Sequence, residues 1–543
     1  MLGLMMNDQL TITALMRHGQ TINANSEIVS VTHDNPRHRY TQKECFDRAG
    51  KLANALAKLG LEQGEVVGTL AWNDYRHMEV YYGVAASGAV CHTVNPRLFP
   101  EQLVYIIGHA EDKFLTVDPM FIPLIEAIAD HIPTVKGVIV LTSKEAMPET
   151  SLDNVYCYEA LLEGESADYP WPDLDENTAC SLCYTSGTTG NPKGVLYSHR
   201  ALVLQSFACC TGMGLTTQDV ALSIVPMFHV NAWNLPYSAA LSGFKMIFPG
   251  SKMGDGETLQ QLVEEEQASY ALGVPTVWLA LLNYLKESGK KVTSLTRVGV
   301  GGSACPLSIM EEFENEHGVI TTSGWGMTEM APLGTFNQLK KPRESFSDEE
   351  YAAIRIRSGY SVFGVSMKIV DEQGNELPWD GVAFGALKVR GPWVVERYFK
   401  REESALDDEG WFDTGDVATI NPDGNMVITD RTKDVIKSGG EWISSIELEN
   451  CAVGHPGVAE AGVIGITHPK WDERPLLVVV RAAESDVQEH QILDYMKNKV
   501  AKWWLPDEVA FVDELPHTAT GKVHKLKLRE QFSDFSFAKT VAG

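Results

Sequence analysis

Helical and extended apolar patterns alternate along most of this 543-residue chain. Apolar residues recur at helical spacing from Cys45 to Ala57, and the extended run Val66 to Ala71 follows. The same order repeats, with predicted helices at 78–89 and 101–109 and strands at 90–94 and 114–117. A strand, a helix and a second strand in this order form a parallel crossover. The pattern therefore predicts an α/β fold whose parallel sheets carry helices on both faces.

The second half of the chain divides into three parts. After residue 195 the alternation resumes, with predicted helices at 257–270, 276–286 and from Pro306 onward, and a strand at 298–301. Residues 355–430 are rich in glycine and short extended runs, which predicts a β-rich subdomain. The charged run 430–434 then precedes a tail, 435–543. The pattern of the tail predicts a small α+β domain that includes helices at 446–452 and 489–503. We therefore place a domain boundary at 430–434, after a large N-terminal domain, 1–430.

Composition and charge exclude several classes of protein. The formal net charge is −27, which argues against nucleic acid as a partner because binding to a duplex depends on Lys and Arg. Nine cysteines at irregular spacing do not form a disulfide framework. The first residues lack the basic segment of an export signal, so we expect a cytoplasmic protein. The run Leu222 to Phe244 has no acidic or basic residue, but its prolines, asparagines and histidine predict a buried segment rather than a membrane span.

The residues from Tyr184 to Gly194 give the strongest chemical signal. An apolar strand leads into four hydroxyl side chains, three glycines and a lysine, which together can donate hydrogen bonds to an anion. Pro192 stands before Lys193 where a Walker A loop requires glycine, so the run is not that motif. A flexible linker would not explain a lysine fixed behind a proline. We therefore predict a phosphate-binding loop.

This loop resembles the signature of the AMP-forming adenylating enzymes, which include acyl-CoA synthetases, luciferases and the adenylation domains of peptide synthetases. Further segments match that family in its own order over nearly the whole chain: Pro226 to Asn231, Gly301 to Ala304, Gly324 to Glu329, Gly410 to Asp416, Asp430 to Asp434, and Leu515 to Lys522. The resemblance implies a hinge at 430–434, with Lys433 as the pivot, and a mobile C-terminal lid.

The resemblance also assigns residues to ATP and to catalysis. Lys522 would bridge the carboxylate and the α-phosphate, although its position alone would suit a solvated lysine. Thr328 would donate to the α-phosphate, and Glu329 with Thr185 would hold Mg²⁺; taken alone, Thr328 and Glu329 could begin a helix. The implied ATP and AMP contacts are Thr185, Ser186, Gly187, Thr188, Thr189, Gly190, Lys193, Gly302, Ser303, Gly324, Trp325, Gly326, Met327, Thr328, Asp416 and Arg431.

Asp416 suits the two ribose hydroxyls, with support from Arg431; its alternative is a turn at the end of a strand. Trp325 stands where many relatives carry tyrosine, and either ring can stack on adenine. Gly299 to Ala304 resembles a dinucleotide fingerprint, but it lacks the acidic residue that such a site needs about 20 residues later.

For the second half-reaction, the resemblance implies that the lid turns and brings a CoA-binding face to the site. That face comprises Lys437, Ser438, Gly439, Gly440, Glu441 and Trp442. Lys437 suits the CoA phosphates or a purely structural role equally. Few residues follow Lys522, so we expect free CoA, rather than a fused carrier domain, to accept the acyl group.

The implied acyl-pocket residues are mostly apolar: His229, Val230, Asn231, Trp233, Gly302, Gly324 and Met327. His229 could act in catalysis or be a core histidine, and Trp233 could close the tunnel or gate it. The chain looks closest to the bacterial medium- and long-chain fatty acyl-CoA ligases, a branch that includes 3-(methylthio)propionyl-CoA ligases.

The sequence thus predicts an acid–CoA ligase that uses ATP, Mg²⁺ and CoA, acts on a small-molecule carboxylic acid, has no membrane span, and pairs as a homodimer. We expect 3-(methylthio)propionate or a short- or medium-chain fatty acid as substrate. A long-chain ligase, a loader of a separate carrier protein and a catalytically inactive nucleotide-binding protein are the alternatives.

Overall fold

The computed structural model describes residues 1, 3–185, 191–438, 441–483, 485–497, 499–518 and 522–537. Within these ranges the strands form three sheets, which agrees with the predicted α/β class.

A seven-stranded sheet lies in the first 200 residues. Each neighbouring pair is parallel except the last, which is antiparallel and brings Thr185 opposite Lys193. The predicted phosphate-binding loop therefore connects two adjacent strands. In spatial order the strands are Val155–Cys157, Gly137–Val140, Asp112–Val117, Val66–Leu70, Val90–Thr93, Ala179–Thr185 and Lys193–Ser198.

A thirteen-stranded path forms the second sheet. One half is parallel except for its edge strand, and the other half is antiparallel; they meet at the strand Ile320–Gly326. The strands of residues 355–430, predicted as a separate β-rich subdomain, therefore continue this sheet. The order is Ser366–Val370, Phe384–Arg390, Phe412–Ile420, Asn425–Arg431, Gly359–Ser361, Leu333–Phe336, Ile320–Gly326, Arg297–Val300, Tyr270–Gly273, Val220–Ser223, Lys245–Phe248, Glu27–Ser30 and His38–Thr41.

The tail forms a five-stranded sheet of its own. Strand Asp472–Arg481 pairs antiparallel with Val458–His468 and parallel with Glu508–Val512. At Asp472 it also pairs antiparallel with Ser438 of strand Ile436–Ser438. Glu441–Ile443 pairs with Ile436–Ser438 at the edge.

Helices cover the sheets and close the cores between them. Helix Gln42–Lys58 shows how the sequence sets one of them: Thr41 and Glu44 form a reciprocal capping box, with the Glu44 carboxylate 2.7 Å from the Thr41 amide. The α-helices are Ile12–Thr21, Gln42–Lys58, Tyr75–Ala86, Pro100–Ala110, Ile122–Ile128, Tyr158–Leu162, His199–Met213, Leu235–Ser242, Gly256–Glu266, Pro275–Ser288, Leu307–His317, Asp348–Arg355, Ser445–Val453, Glu489–Met496 and Lys525–Gln531. Short 3₁₀ turns occupy Pro119–Phe121, Ala129–His131, Thr328–Met330 and Arg343–Ser345.

Two predicted helices were too long. The helix predicted at 257–270 ends at Glu266 because Gln267 takes a left-handed conformation and Tyr270 begins a buried strand. The helix predicted at 489–503 ends at Met496. The segment Leu222 to Phe244 is largely buried in the core, as predicted. No helix in the described part of the chain is long and apolar enough to cross a membrane.

Candidate active site

A cavity of about 350 Å³ opens where the carboxyl ends of strands from both large sheets meet, and two residues of the tail, Thr518 and Lys522, reach it. The strands Ala179–Thr185, Arg297–Val300 and Ile320–Gly326 all end at this cavity. Crevices at the carboxyl ends of parallel strands are common ligand sites, because the loops that follow converge there. The lining residues are Thr185, Lys193, Met213, His229, Val230, Trp233, Val300, Gly301, Gly302, Gly324, Trp325, Gly326, Met327, Thr328, Glu329, Pro332, Leu333, Phe336, Tyr398, Thr414, Arg431, Thr518 and Lys522.

Trp325 and Arg431, which line the cavity, form a polar cluster with the buried Asp416 beside them. The Trp325 indole Nε1 donates to Asp416 Oδ2 at 2.9 Å, and Arg431 Nε lies 3.5 Å from Asp416 Oδ1. Burial raises the pKa of the Asp416 carboxyl, while Arg431 and the indole lower it. The strands Phe412–Ile420 and Asn425–Arg431 pair so that Asp416 lies opposite Arg431. The cluster offers a buried carboxylate acceptor beside an aromatic ring.

Glu329 lies in a second polar group. The residue is 8% exposed, and its Oε1 accepts from the Tyr398 hydroxyl at 2.9 Å. The Lys193 ammonium lies 4.6 Å from the centre of the Tyr398 ring. Burial raises the pKa of the Glu329 carboxyl above its usual range. A buried carboxylate of this kind favours a nearby cation.

The backbone at Thr328 is fixed from the neighbouring sheet. The Tyr197 hydroxyl donates to the Thr328 carbonyl oxygen at 2.5 Å. The 3₁₀ turn Thr328–Met330 follows directly, so Thr328 and Glu329 present adjacent side chains to the cavity. The helix start that the sequence offered as an alternative is thus a single 3₁₀ turn.

Lys522 is the only lysine in the described part of the tail that lines the cavity. The residue keeps solvent exposure as a whole, but the surroundings of its ammonium lower its pKa to about 8, first through desolvation and then through Arg431. Its charge also contributes to lowering the pKa of His229. The lysine amine therefore points into the cavity rather than into bulk water.

His229 and the turn after it form the opposite wall. The pKa of the imidazole is lowered to about 4, mainly by burial, so the ring is neutral near pH 7. It has no hydrogen-bond partner among the described side chains and backbone groups, which is unlike a core histidine fixed to the backbone. The structure thus places His229 on the cavity, where a catalytic role remains a prediction.

Residues 230–234 all have positive φ angles, between 41° and 65°. A left-handed turn of L-residues costs about 1–2 kcal/mol per residue, so it persists only where other contacts fix it. Asn234 Nδ2 donates to the Ser206 hydroxyl at 2.8 Å, and the Ser181 hydroxyl lies 3.2 Å from Asn231 Oδ1. These buried contacts point Val230 and Trp233 at the cavity and turn Asn231 away from it.

The six-membered ring of Trp233 packs against the glycine turn that follows strand Arg297–Val300. A Cβ atom on Gly301 would come within 2.4 Å of the Trp233 ring, so only glycine leaves room for the indole there. The rest of this end of the cavity is apolar, with Met213, Leu333 and Phe336. It can accommodate an apolar chain.

Most of the predicted site residues in the described ranges line the cavity, but several do not. Asn231 faces the core, Asp416 contacts the lining residues Trp325 and Arg431 without lining the cavity itself, and Ser303, Lys437, Ser438 and Trp442 do not line it either. Lys437 instead pairs with Glu372 at 3.2 Å, and the Trp442 ring lies 5.4 Å from that of Phe384. Ser186, Gly187, Thr188, Thr189, Gly190, Gly439 and Gly440 lie outside the described residues, as does the side chain of Glu441.

The sequence did not predict several lining residues. Tyr398 lies far from any recognised motif, and Met213, Leu333 and Phe336 look like ordinary core residues in the sequence.

The described residues contain no cluster of three or more His, Cys, Asp or Glu that could hold a metal ion by itself. Any metal would therefore need oxygens from a ligand as well as from Glu329. Cys180 and Cys183 are buried free thiols whose pKa values are raised by burial, as expected for core packing.

Known proteins resemble this chain along nearly all of its length. The chain is 50% identical to the 3-methylmercaptopropionyl-CoA ligase of Ruegeria lacuscaerulensis, over 98% of this chain and 99% of that protein. It is 47% identical to the medium-chain-fatty-acid–CoA ligase of Ectopseudomonas oleovorans, over 98% of each. Among solved structures, the anthranilate CoA ligase in complex with anthranoyl-AMP aligns with a TM-score of 0.86 at 25% identity, covering 96% of this chain and 97% of that one.

Two family models also match. Residues 447–522 match the C-terminal domain of AMP-binding enzymes. Residues 20–399, more than half of the chain, match the AMP-binding enzyme model itself. The resemblance inferred from the motifs is thus confirmed, and the chain belongs to the AMP-binding enzyme family.

Proposed function

We propose that this protein is an AMP-forming acid–CoA ligase. A carboxylic acid reacts with ATP to give an acyl adenylate and pyrophosphate, and the thiol of CoA then displaces AMP to give the thioester. The observation that carries this proposal is one cavity lined by the buried Glu329, by Trp325 and Arg431, which both contact the buried Asp416, and by Lys522 from the tail. Relatives that match over 98% of the chain are named as CoA ligases, which supports the same reaction.

In the first step the substrate carboxylate attacks the α-phosphorus, and the bond from that phosphorus to the bridging oxygen of pyrophosphate breaks. Two anions must approach each other, so charge compensation decides the rate. Lys522 can place its ammonium between carboxylate and α-phosphate, because it reaches the cavity from the tail. Asp416 and Trp325 hold the ribose and adenine, which fixes the α-phosphate relative to Lys522.

Magnesium fits the residues that are present. Glu329 is a buried carboxylate with a raised pKa, and no ion pair formed within the described ranges includes it. Thr185 lines the same cavity and offers a hydroxyl oxygen. We infer that these two residues hold Mg²⁺ against the phosphates of ATP; bound there, the ion neutralises charge on the phosphates and the departing pyrophosphate.

In the second step the CoA sulfur attacks the acyl carbon, the bond to the AMP oxygen breaks, and the thiol proton leaves to solvent or to a base. The His229 imidazole, neutral near pH 7, lies at this wall of the cavity and can accept a hydrogen bond there. The predicted CoA-binding residues Lys437 and Trp442 contact Glu372 and Phe384 instead of the cavity, so this step needs a different orientation of the tail. We therefore infer rotation at 430–434, with Lys433 as pivot.

The substrate is a small apolar acid, and 3-(methylthio)propionate or a short- or medium-chain fatty acid fits best. Trp233 blocks one direction of the cavity against Gly301, and the remaining space is bounded by Met213, Leu333 and Phe336. The two relatives named above act, by their names, on 3-methylmercaptopropionate and on medium-chain fatty acids. A relative from Thermus thermophilus, 44% identical, is named a long-chain ligase, so a long-chain acid is the second candidate.

The test is release of AMP and pyrophosphate from ATP with a series of acids from C2 to C18 plus 3-(methylthio)propionate, with and without CoA. We expect CoA-dependent AMP formation with short apolar acids. Absence of product with every acid would leave the inactive nucleotide-binding alternative. Transfer to a phosphopantetheinyl carrier protein but not to CoA would favour the carrier-loading alternative.

We also infer that the protein pairs as a homodimer through its N-terminal domain, in keeping with the branch that it resembles. Sedimentation at micromolar concentration tests this: a single species of twice the 59.8 kDa chain mass supports it, and a monomer contradicts it.

A further inference from the structure

A buried charge cluster lies next to Arg431, whose amide donates to Asp430 Oδ1 at 2.7 Å, and none of the cluster's own residues lines the cavity. Lys525 Nζ is 2.9 Å from Glu449 Oε1 and also donates to the Ser445 hydroxyl. The same hydroxyl and the Ser445 amide each donate to Asp430 Oδ2 at 2.6 Å. Lys525 is 11% exposed, Glu449 16%, and Asp430 is fully buried.

The position of Lys525 is unfavourable for the helix that it begins. It is the first residue of Lys525–Gln531, where the helix dipole disfavours a cation. Burial also raises the pKa of the Glu449 and Asp430 carboxyls, whereas the Lys525 charge lowers it. The contacts of Lys525 with these two carboxylates therefore explain why its charge is placed here, whereas the helix itself does not favour a cation at its start. A lysine that compensates two buried carboxylates fixes the start of this helix firmly.

The start of the helix is connected directly to Lys522. The Thr518 amide donates to the Lys522 carbonyl at 2.8 Å, and the His524 amide donates to the Pro516 carbonyl at 2.7 Å. Together with the bridge between His517 and Val523, these bonds make Lys522 part of one short unit with the helix start. A shift of Lys525 is therefore transmitted to Lys522.

The cluster also crosses the predicted hinge. Asp430 lies in strand Asn425–Arg431 of the thirteen-stranded sheet, whereas Ser445, Glu449 and Lys525 belong to the tail. Rotation at 430–434 would separate Asp430 from the other three residues. The contacts thus stabilise the orientation in which Lys522 reaches the cavity, and not the one that the second step needs.

We propose that Lys525 is a positioning residue: through Glu449, Ser445 and Asp430 it holds the tail so that Lys522 reaches the α-phosphate. This inference rests on the proposed function. It predicts that loss of the Lys525 charge slows formation of the acyl adenylate but leaves transfer from a supplied acyl adenylate to CoA unaffected.

The experiment measures both half-reactions separately in the full-length protein. Lys525→Met should lower acid-dependent pyrophosphate exchange about 10- to 100-fold and change CoA transfer by less than about twofold. Lys525→Arg, which retains a cation, should recover most of the exchange activity. Lys502→Met, at an exposed lysine elsewhere in the tail, is the matched control and should equal the wild type.

A second readout reports position rather than rate. Reductive methylation followed by peptide mass spectrometry should modify Lys522 severalfold faster in Lys525→Met than in the wild type, while exposed Lys497 reacts equally in both. A general loss of stability would raise the modification rates of both lysines rather than that of Lys522 alone. If Lys525→Met does not fold, Glu449→Gln retains side-chain volume and should give the same pattern.

Equal loss in both half-reactions, unchanged exchange, or unchanged Lys522 labelling would overturn the positioning role. A wild type that exchanges no pyrophosphate with any acid would overturn the proposed function as well. A wild type that is active alongside an equally active Lys525→Met would overturn only the present inference.

Discussion

Lys522→Ala gives the sharpest test of the proposed first step. The substitution removes the one tail ammonium that lines the cavity in the described part of the chain. Loss of one preorganised charge-stabilising donor costs about 10²- to 10³-fold in rate, or roughly 3–4 kcal/mol of transition-state stabilisation. We therefore expect acid-dependent pyrophosphate exchange to fall by that factor, while transfer of a supplied acyl adenylate to CoA is retained.

The pH dependence of adenylate formation provides a second, independent test of Lys522. The pKa of Lys522 is lowered from 10.5 to about 8, so in the free enzyme the amine is about 90% protonated at pH 7 and about 10% protonated at pH 9. Because the ammonium is the active form, kcat/KM for adenylate formation should fall about tenfold per pH unit above pH 8 in the wild type. Lys522→Ala should lack this decline, and the two profiles should approach each other at high pH.

The assay is isotopic exchange between pyrophosphate and ATP from pH 6 to 10, at subsaturating acid and constant ionic strength. Lys502→Ala controls for loss of a tail lysine as such. An alkaline decline that persists unchanged in Lys522→Ala would refute the reasoning, because some other group would then carry the titration. Equal loss of both half-reactions would refute the assignment of Lys522 to the first step.

Four further substitutions test the other parts of the site. Glu329→Gln should raise the Mg²⁺ concentration for half-maximal exchange at least about tenfold, because the buried carboxylate is lost while its volume is kept. Asp416→Asn should weaken AMP binding about 10- to 100-fold in calorimetry, since a charged acceptor contributes about 1.5–3 kcal/mol. Trp233→Ala should shift kcat/KM toward longer acids by opening the space beside the glycine turn, and an unchanged chain-length profile would contradict this. Lys433→Pro should reduce CoA transfer more than adenylate formation, measured as separate half-reactions, because it restricts rotation at the predicted hinge.

The α/β architecture followed from the sequence because parallel strands covered on both faces leave a strong apolar pattern. Strand Val66–Leu70 is buried throughout and lies within one residue of the predicted run. The predicted strand before the phosphate-binding loop and the predicted strand at 298–301 both end at the cavity, where the carboxyl ends of parallel strands are expected to hold ligands. Convergence of the two sheets on a single cavity could not be predicted in this way, because the order of strands within a sheet depends on long-range pairing.

The conformation of residues 230–234 could not be predicted from the local sequence pattern. The left-handed turn depends on hydrogen bonds to Ser181 and Ser206, which lie 50 and 28 residues earlier in the chain than their partners. Asparagine at 231 and 234 tolerates positive φ, but valine, alanine and tryptophan do not favour it. Tertiary contacts therefore decide this conformation. Asn231 was predicted to line the acyl pocket, yet those contacts direct its side chain into the core.

Parts of the tail could not be predicted from the sequence either. The strands Ile436–Ser438 and Glu441–Ile443 were not predicted, because each has only three residues and no alternation to detect. They form the face that carries Lys437 and Trp442, whose CoA contacts stay a prediction. The division of the chain at 430–434 is also a prediction, although the buried cluster around Asp430 gives it a physical test.

A chain with a net charge of −27 must bind ATP, itself a polyanion, against its overall field. Positive charge is concentrated at the cavity, because Lys193, Arg431 and Lys522 all line it, whereas Glu329 is the only acidic residue among its described lining residues. Nearby charges within a low-dielectric cavity are screened little by salt, whereas the repulsion from distant surface acids is screened beyond about 10 Å at 0.1 M ionic strength. Raising the salt concentration should therefore accelerate association of ATP while leaving its dissociation nearly constant. A dissociation rate that rises steeply with salt would instead place the decisive cations on the open surface.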